Sequence, residues 1–527
     1  MTPRTATTID SLITPQRDGE ILVWPEPASL TQMAEKNQRH RRSWSLNILD
    51  RPIGEWLGQS LAGPPIVMVG HQPSFFHPGV LAKNFVAGAL ATRLGSKAQY
   101  LVVDSDASRG VTISWPELDQ GLCRAASASA FPRHAAAYEQ LPPMSAGQWR
   151  SFFDQVIANG PLKSNSMALF VEPFIAAPNQ PGDYTTRWIA ASSNVEQAVG
   201  AGELSYCRVS HHFDFQDRDG ARRAAAFVGH VLLGATRFAR AYNDALSHYR
   251  RERGILGVQH PVPDLKHAGD KIELPFWVVS GPAPRRRLWA SVGNDRVELF
   301  AEDESIGATD SVELRRDPAA ALCKMLGVWH IRPRALALTL CARMFLCDLF
   351  IHGIGGAKYD QITDEIARAF FQIDLPPFAC ASATLRLPLN AFDCHDDTQF
   401  DPERRLRDIR FNPHRYLDGP NMMTLKAQRE QAIALAAQLR EDSPREHRAR
   451  REAYSLIQIA NAAYLAEAPA RVSELQREWE SHRQHRLHNM TALSREWFFG
   501  LYSTDALTSL AARVRKLVNG DGSEPQK

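Results

Sequence analysis

With 527 residues, 44% of them hydrophobic, the chain has room for roughly three domains or for one core with large insertions. Its 61 basic and 58 acidic residues leave a net charge of +3, which gives no global reason to expect nucleic acid or an anionic membrane as a partner. No run of about 18 apolar residues occurs, so no membrane-spanning helix is expected.

The seven cysteines (Cys123, Cys207, Cys323, Cys341, Cys347, Cys380 and Cys394) are scattered, without a CxxC pair. That usage predicts reduced thiols in a cytoplasm, not a disulfide framework. The opening MTPRTATTIDSLITPQRDG lacks the apolar segment of a secretory signal, which agrees with a cytoplasmic location.

In chain order, the first 20 or so residues read as polar and loosely held. Leu30 to Trp44 and Leu46 to Leu61 predict helical pieces, so that residues 1–63 form a helical lead-in. The basic run Arg39 to Arg42 reads as a solvated helix face. Pro65 to Ser108 then reads as strand, polar turn, helix, strand. Ile66 to Val69 is a continuous apolar run suited to a strand buried on both faces. The loop Gly70 to Gly79 carries two histidines, two prolines and two glycines. Val80, Leu81, Phe85, Ala89, Leu90 and Leu94 recur at helical spacing, and Gly95 closes the helix. Tyr100 to Val103 is a second strand with Asp104 and Asp106 at its carboxyl end, where an open parallel sheet binds ligands.

Residues 109–165 read as an insertion with one amphipathic stretch, Ala146 to Ala158. Met167 to Val171 predicts a buried strand. Val209 to Asp214 (VSHHFD) places two histidines beside an aspartate; adjacent side chains diverge, so only one could serve a given site. Ala221 to Arg253 predicts one long helix ended by Gly254. Ile272–Ser280, Arg287–Val292 and Asp295–Ala301 predict a small antiparallel unit inserted at about 270–302, with Gly293-Asn294 as a hairpin turn. Its tip, Arg285 to Arg287, reads as solvated charge, with phosphate or carboxylate binding as the other reading.

Pro333 to Met344 is helical in spacing, and Leu346 to Ile351 is an apolar run. A second glycine-rich elbow, His352-Gly353-Ile354-Gly355-Gly356, then opens the helix Ala357 to Phe371, and Pro376 to Leu387 is strand-like. Residues 64–400 thus predict an α/β core with two strand–elbow–helix–strand units, whose elbows share one carboxyl edge if both belong to one sheet. Beyond residue 400, Leu425 to Leu439, a helix opened by Pro444 and running to Glu467, and Ala470 to Phe499 predict a helical arm over 401–527. Val472, Leu475, Trp479, Leu487, Met490 and Leu493 follow a coiled-coil-like rhythm. Acidic residues interleave with the basic runs Arg445–Arg451 and His482–His488, which read as a solvated arm and not as a nucleic-acid surface.

A helix that starts after a glycine-bearing loop presents unpaired N–H groups and partial positive charge, a ready site for phosphate or carboxylate. Both elbows meet that description, and neither matches the GxxxxGK[ST] or GxGxxG pattern. Histidines there can stabilise charge on a transferring phosphoryl or adenylyl group.

These parts resemble the bacillithiol biosynthesis cysteine-adding enzyme family from about Pro64 onward. GHQPSFFHPG (Gly70 to Gly79) is similar to its Gly-Gln-Gln turn closed by Phe-Thr-Gly-Pro, and Val103 to Asp106 stands where the family has an acidic cluster. FWVVSGPAPRRRLWA (Phe276 to Ala290) resembles its small β unit with an Arg-Arg tip. IRPRALALTL and FIHGIGGAKYD (Phe350 to Asp360) resemble its Leu-Arg-Pro helix and glycine-rich elbow. The chain departs from the family at His71 and His77, where the family has glutamine and threonine, and at Ala357 to Asp360, where it has a glutamate-bearing elbow.

The resemblance implies a Rossmann-like core, an inserted domain and a coiled-coil arm that makes homodimers. The implied chemistry is ligase-like or nucleotidyl-transfer: a cysteine joined to the amine of a glucosaminyl-malate, with a nucleotide site for ATP or ADP nearby. On this reading His71, His77, Asp104 and Asp106 are the candidate catalytic residues. Gly70, Gln72, Gly79, His352, Gly353, Gly355, Gly356, Lys358 and Asp360 would hold the nucleotide or the activated small-molecule substrate. Two other readings stay open: a metalloenzyme using His71, His77, Asp104, Asp106 and His352 with a divalent ion, and a non-catalytic nucleotide-binding scaffold.

Overall fold

The computed structural model describes residues 8–58, 62–108, 110–131, 136–160, 164–177, 183–257, 259–393, 401–419, 422–442 and 447–520. Cys394, Pro444 and Arg445 lie outside them. By packing, the chain divides into one unit of Met1–Trp115, Ala126–Leu387 and Arg495–Lys527, and a second of Pro116–Ala125 and Pro388–Ser494.

The first unit is mixed α/β. Its main sheet has six strands: β1 (Ile21–Trp24), β2 (Val67–His71), β3 (Ala98–Val102), β4 (Leu204–Arg208), β5 (Leu349–His352) and β6 (Ala379–Ala383). Their spatial order is β1-β6-β5-β2-β3-β4. The five strands β2 to β6 run parallel, and β1 lies antiparallel along the edge of β6. From β2 the chain winds outward through β3 and β4, then returns to the other side of β2 and winds outward through β5 and β6. The reversal falls between β2 and β5, where ligands bind in open sheets of this kind. Val67–Val69 and Leu349–Ile351 are apolar and buried, as strands covered on both faces require.

Four helices matter for the site: α1 (Leu30–Arg42), α2 (Pro78–Arg93), α3 (Ile354–Ile366) and α4 (Thr504–Asn519). Helix α2 leaves the first elbow, packs over β2, β3 and β6, and is covered in turn by α4. Helix α3 leaves the second elbow. At the opposite end of the central strand pair, Asp348 acts as a clamp. Its Oδ1 accepts from Arg41 Nη1 at 2.5 Å and its Oδ2 from the Ile66 amide at 2.8 Å, while its own amide donates to Ile66 O at 2.8 Å. Both side chains of this ion pair are fully buried. The clamp sets Ile351 opposite Val69, so the two elbows leave the sheet at the same level.

Several elements differ from the sequence expectation. Met167–Val171 is not a strand; it lies in the helix Asn165–Ala176, which buries Met167, Phe170, Val171 and Phe174 at helical spacing. A short continuous apolar run carries no period of its own, so burial decides. The helix expected from Leu46 to Leu61 ends in residues 59–61, which lie outside the described ones. Its described part is mostly a tight hairpin, Asn47–Ile48 against Arg51–Pro52, turning on Leu49 and Asp50 at positive φ; only Ile53–Leu57 is helical. The long helix from Ala221 is two, Arg222–Leu233 and Ala235–Glu252, parted at Gly234.

The insertion after Asp106 contains the expected helix, Ala146–Asn159, and also an unanticipated ribbon, Val111–Asp119 paired with Leu122–Phe131. The antiparallel unit extends past Ala301: Lys271–Val279, Arg286–Val292 and Arg296–Ala301 are joined by Glu304–Asp310 on one side and His330–Pro333 on the other. Its arginine tip is only partly solvated: Arg285 pairs with Asp106 and Arg286 with Glu304, while Arg286 and Arg287 stay about a third exposed.

The second unit holds the helices Pro402–Phe411, Met422–Asp442, His447–Glu467 and Pro469–Ala492 around a small core of Ile409, Leu417, Met422, Tyr464, Leu475 and Trp479. Leu487, Met490 and Leu493 stay exposed, so half of the coiled-coil rhythm is unused within the chain. His488, in the basic run, is buried: its Nδ1 accepts from the Cys123 amide and its Nε2 donates to Asn390 O. The final helix α4 belongs by packing to the first unit, not to the arm.

Replacing Arg41 by alanine strands a buried carboxylate, a change that costs roughly 3–5 kcal/mol. Urea unfolding followed by tryptophan fluorescence is expected to show a loss of that size. A loss below about 1 kcal/mol, the level of an exposed pair, would show that Asp348 does not depend on its partner.

Candidate functional site

Two cavities open at the carboxyl edge of β2 and β5, and Gly70, His71 and His352 line both. The first, about 210 Å³, is walled by Trp277, Leu338 and Phe350, with Gln72, Asp106, Arg285 and Arg334 as its polar groups. The second, about 400 Å³, is lined by His77, Gly79, Lys83, Gly353, Gly355, Gly356 and Arg495, with Glu496 as its one carboxylate among the described residues. It therefore faces the N-terminal ends of α2 and α3, both rich in unpaired N–H groups.

His77 is the N-cap of α2. The Gly79 amide can only donate, so His77 Nδ1 accepts (3.0 Å) and the ring proton sits on Nε2, 3.3 Å from Glu496 Oε2. Arg495 Nη2 approaches the same Nδ1 at 3.3 Å. Glycine at 79 is obligatory: a Cβ there would meet Arg495, sit 2.5 Å from Ala383 O and 2.7 Å from His77 Cε1. Burial first, then Arg495 and the other nearby basic groups, push the His77 imidazole down to about 3. His71 donates from Nδ1 to Gln72 O at 3.0 Å, which leaves its Nε2 as a bare lone pair. Burial, then the Lys83 charge, lower it likewise to about 3. Both rings are neutral near pH 7.

Lys83, only 4% exposed, donates to Gly70 O at 3.0 Å and is in no ion pair among the described residues. Burial lowers its amine to about 8. Arg495 is paired with Glu496 at 3.2 Å, so the unmatched positive charge facing the second cavity comes from Lys83 and the two helix N-termini, which give it the character of an anion site.

His352 is held from behind. Its Nε2 donates to Asp360 Oδ2 at 3.0 Å, and that oxygen also accepts from Arg343 Nη1 at 2.6 Å. Burial alone would raise the Asp360 carboxyl, but Arg343 and His352 hold it well below the usual carboxylate range. Asp360 thus lines neither cavity; it sits behind one of the residues that lines both.

The expected site residues separate accordingly. Gly70, His71, Gln72, His77, Gly79, Asp106, His352, Gly353, Gly355 and Gly356 line one cavity or both. Asp104 lines neither: its carboxylate accepts from Arg208 Nε, Ser210 N and Ser210 Oγ, which makes it an anchor for the VSHHFD turn. Lys358 also lines neither. Asp106 accepts from Gln72 at 2.9 Å and Arg285 at 2.8 Å. Burial would raise it, yet these partners keep it below its ordinary value.

Among the described residues there is no group of three or more His, Cys, Asp or Glu side chains placed to hold a metal ion. The ligand set His71, His77, Asp104, Asp106 and His352 fails because Asp104 is turned into Arg208 and Ser210 while both His77 nitrogens are engaged.

Sequence reasoning missed Lys83, Arg343 and Arg495. The first two carry a signal, each a single cation inside an apolar helical run (VLAKNFVAGAL and LTLCARMFLC). Arg495 carries none, being 418 residues from His77. Compared with known proteins, the chain matches no family model and no curated protein.

Two histidines held neutral make the fold acid-sensitive. Their folded values of about 3 lie below the ordinary 6.5, so the unfolded chain takes up protons that the folded one refuses as pH falls from 6.5 toward 3. Stability is retained above pH 6.5 and declines below it, by roughly 1.4 kcal/mol per pH unit for each ring. Urea midpoints measured from pH 7 to pH 4 are expected to fall less steeply in His77→Gln than in the wild type. Equal slopes would mean that His77 is protonated in the fold.

Proposed function

We propose that the chain is a ligase-like enzyme with a Rossmann-like core, condensing an amine with an activated small molecule at a nucleotide-binding site. The observation that carries this is the second cavity, where two helix N-termini, Lys83 and Arg495 converge at the sheet's switch point. Its residues fit the phosphates of ATP or ADP: backbone N–H groups of the two elbows, open backbone at Gly353 and Gly355, and a buried lysine in no ion pair among the described residues. A bound nucleoside triphosphate would supply the activation of a carboxylate. The adjoining cavity, apolar on the Trp277–Leu338–Phe350 side and polar at Asp106 and Arg285, suits the small-molecule substrate.

The resemblance to the bacillithiol cysteine-adding family supports cysteine and a glucosaminyl-malate amine as that substrate pair. The exposed Leu487, Met490 and Leu493 along the last arm helix support a homodimer through a coiled coil. The dispersed cysteines support a cytoplasmic location. No helix among the described residues is long and apolar enough to cross a membrane.

Millimolar ATP or ADP is expected to raise the melting temperature by several degrees, because anything bound only by the folded state stabilises it. Lys83→Ala and Arg495→Ala are expected to abolish that shift, and an assay with ATP, cysteine and glucosaminyl-malate to consume ATP. No shift with any nucleotide would overturn the reading.

A further inference from the structure

Three imidazoles stand at the switch point, and their hydrogen bonds sort them. His77 has no spare lone pair: Nδ1 accepts from Gly79 and faces Arg495, and Nε2 carries the proton. His71 has a bare Nε2, but burial and the Lys83 charge make it a poor proton acceptor. His352 differs from both. A carboxylate takes its Nε2–H, which fixes the tautomer and leaves the Nδ1 lone pair without a partner among the described residues. That carboxylate is locked by Arg343, which also donates to Pro376 O at 2.7 Å and pairs with Asp364. The ring is held by Phe350 and Phe378, with centroids 4.5 and 4.9 Å away. Gly356 keeps Nδ1 approachable, since a Cβ at that position would lie 3.1 Å from it.

We propose that His352 is the general base of the site, accepting a proton at Nδ1 from the attacking amine, with Asp360 as its positioning residue. This rests on the condensation reading above. The amine nitrogen attacks the activated acyl carbon and the N–C bond forms. The carbon–oxygen bond to the phosphate-bearing leaving group breaks, with its electron pair staying on that oxygen. The proton shed by the nitrogen passes to His352 Nδ1, and from there to the leaving group or to water. Asp360 stabilises the imidazolium in the interval, a carboxylate–imidazole arrangement whose worth lies in orientation and charge. His352 lines both cavities, so it is placed where an amine in one would meet an acyl group activated in the other.

The test has an equilibrium arm and a kinetic arm, both on the full chain. In the first, histidine ring ¹⁵N spectra are recorded at neutral pH, and the His352 signal is assigned by its loss in His352→Gln. The expected pattern is Nε2 protonated and Nδ1 bare, with the opposite tautomer appearing in Asp360→Asn. A wild-type ring protonated at Nδ1 overturns the proposal whether or not turnover is seen. In the second, ATP consumption with cysteine and glucosaminyl-malate is expected to fall by about 10²–10⁴-fold in kcat for His352→Gln. The ATP-induced melting shift should persist in that variant, because Lys83 and the elbow N–H groups that face the phosphates are intact. A wild-type kcat in that variant also overturns the proposal. Absence of ATP consumption in the wild type sinks the condensation reading instead, and the tautomer then decides by itself whether His352 is a poised proton acceptor.

Discussion

Everything at the ligand edge depends on a clamp at the far end of the same two strands. Asp348 immediately precedes β5, yet its carboxylate belongs equally to β2, through the Ile66 amide, and to α1, through Arg41. Such a pair is weak evidence for stability in itself, because removing two charges from water offsets most of their attraction. Its contribution is to register. Parallel strands joined by long crossovers have no short turn to set their alignment. A slip of one residue between β2 and β5 would invert every side chain of β5 and lift one elbow out of the site. With Asp348 bridging both strands, His71 and His352 come out at one level and share two cavities.

Charge then divides those cavities. In the second, Lys83 is in no ion pair among the described residues and Arg495 pairs with Glu496 at 3.2 Å, beside the neutral imidazoles of His71 and His77, which add hydrogen-bonding capacity without adding charge. In the first, the guanidiniums of Arg285 and Arg334 lie over the Trp277 ring, 4.5 and 4.3 Å from its centroid, and each also holds a carboxylate, Asp106 or Glu273. The cations there are already matched, and the wall between them is apolar. An anionic group and a neutral, less polar group would thus be drawn to opposite sides of the Gly70–His71 corner.

What could be read from the sequence was local. The two elbows, their helices and their strands follow from apolar runs broken by glycine, histidine and proline, and the sheet places them together as the βαβ rule requires. Other elements are decided by tertiary packing. Met167 to Val171 has the composition of a strand, but its partners are helices, and four buried residues at helical spacing settle it. The strand Ile21–Trp24 is four residues long and exists by pairing with Ala379–Ala383, far along the chain. Asp104 and Asp106 look alike in sequence; one meets Arg208 and Ser210 and is spent on the fold, the other meets Gln72 and Arg285 and stays at the cavity.

Arg495 gives the site a dependence on a segment far along the chain. Both elbows and Lys83 lie upstream of the arm, yet the second cation arrives on the segment after it, 418 residues beyond the histidine it faces. A nascent chain can therefore assemble the sheet and both helix N-termini and still lack part of its anion cradle. Whatever occupies that cradle binds the segment around Arg495 together with the first elbow, acting as a non-covalent staple between parts of the chain 418 residues apart. Mass action would then favour the form in which the Arg495 segment is docked, so that occupancy and docking rise together.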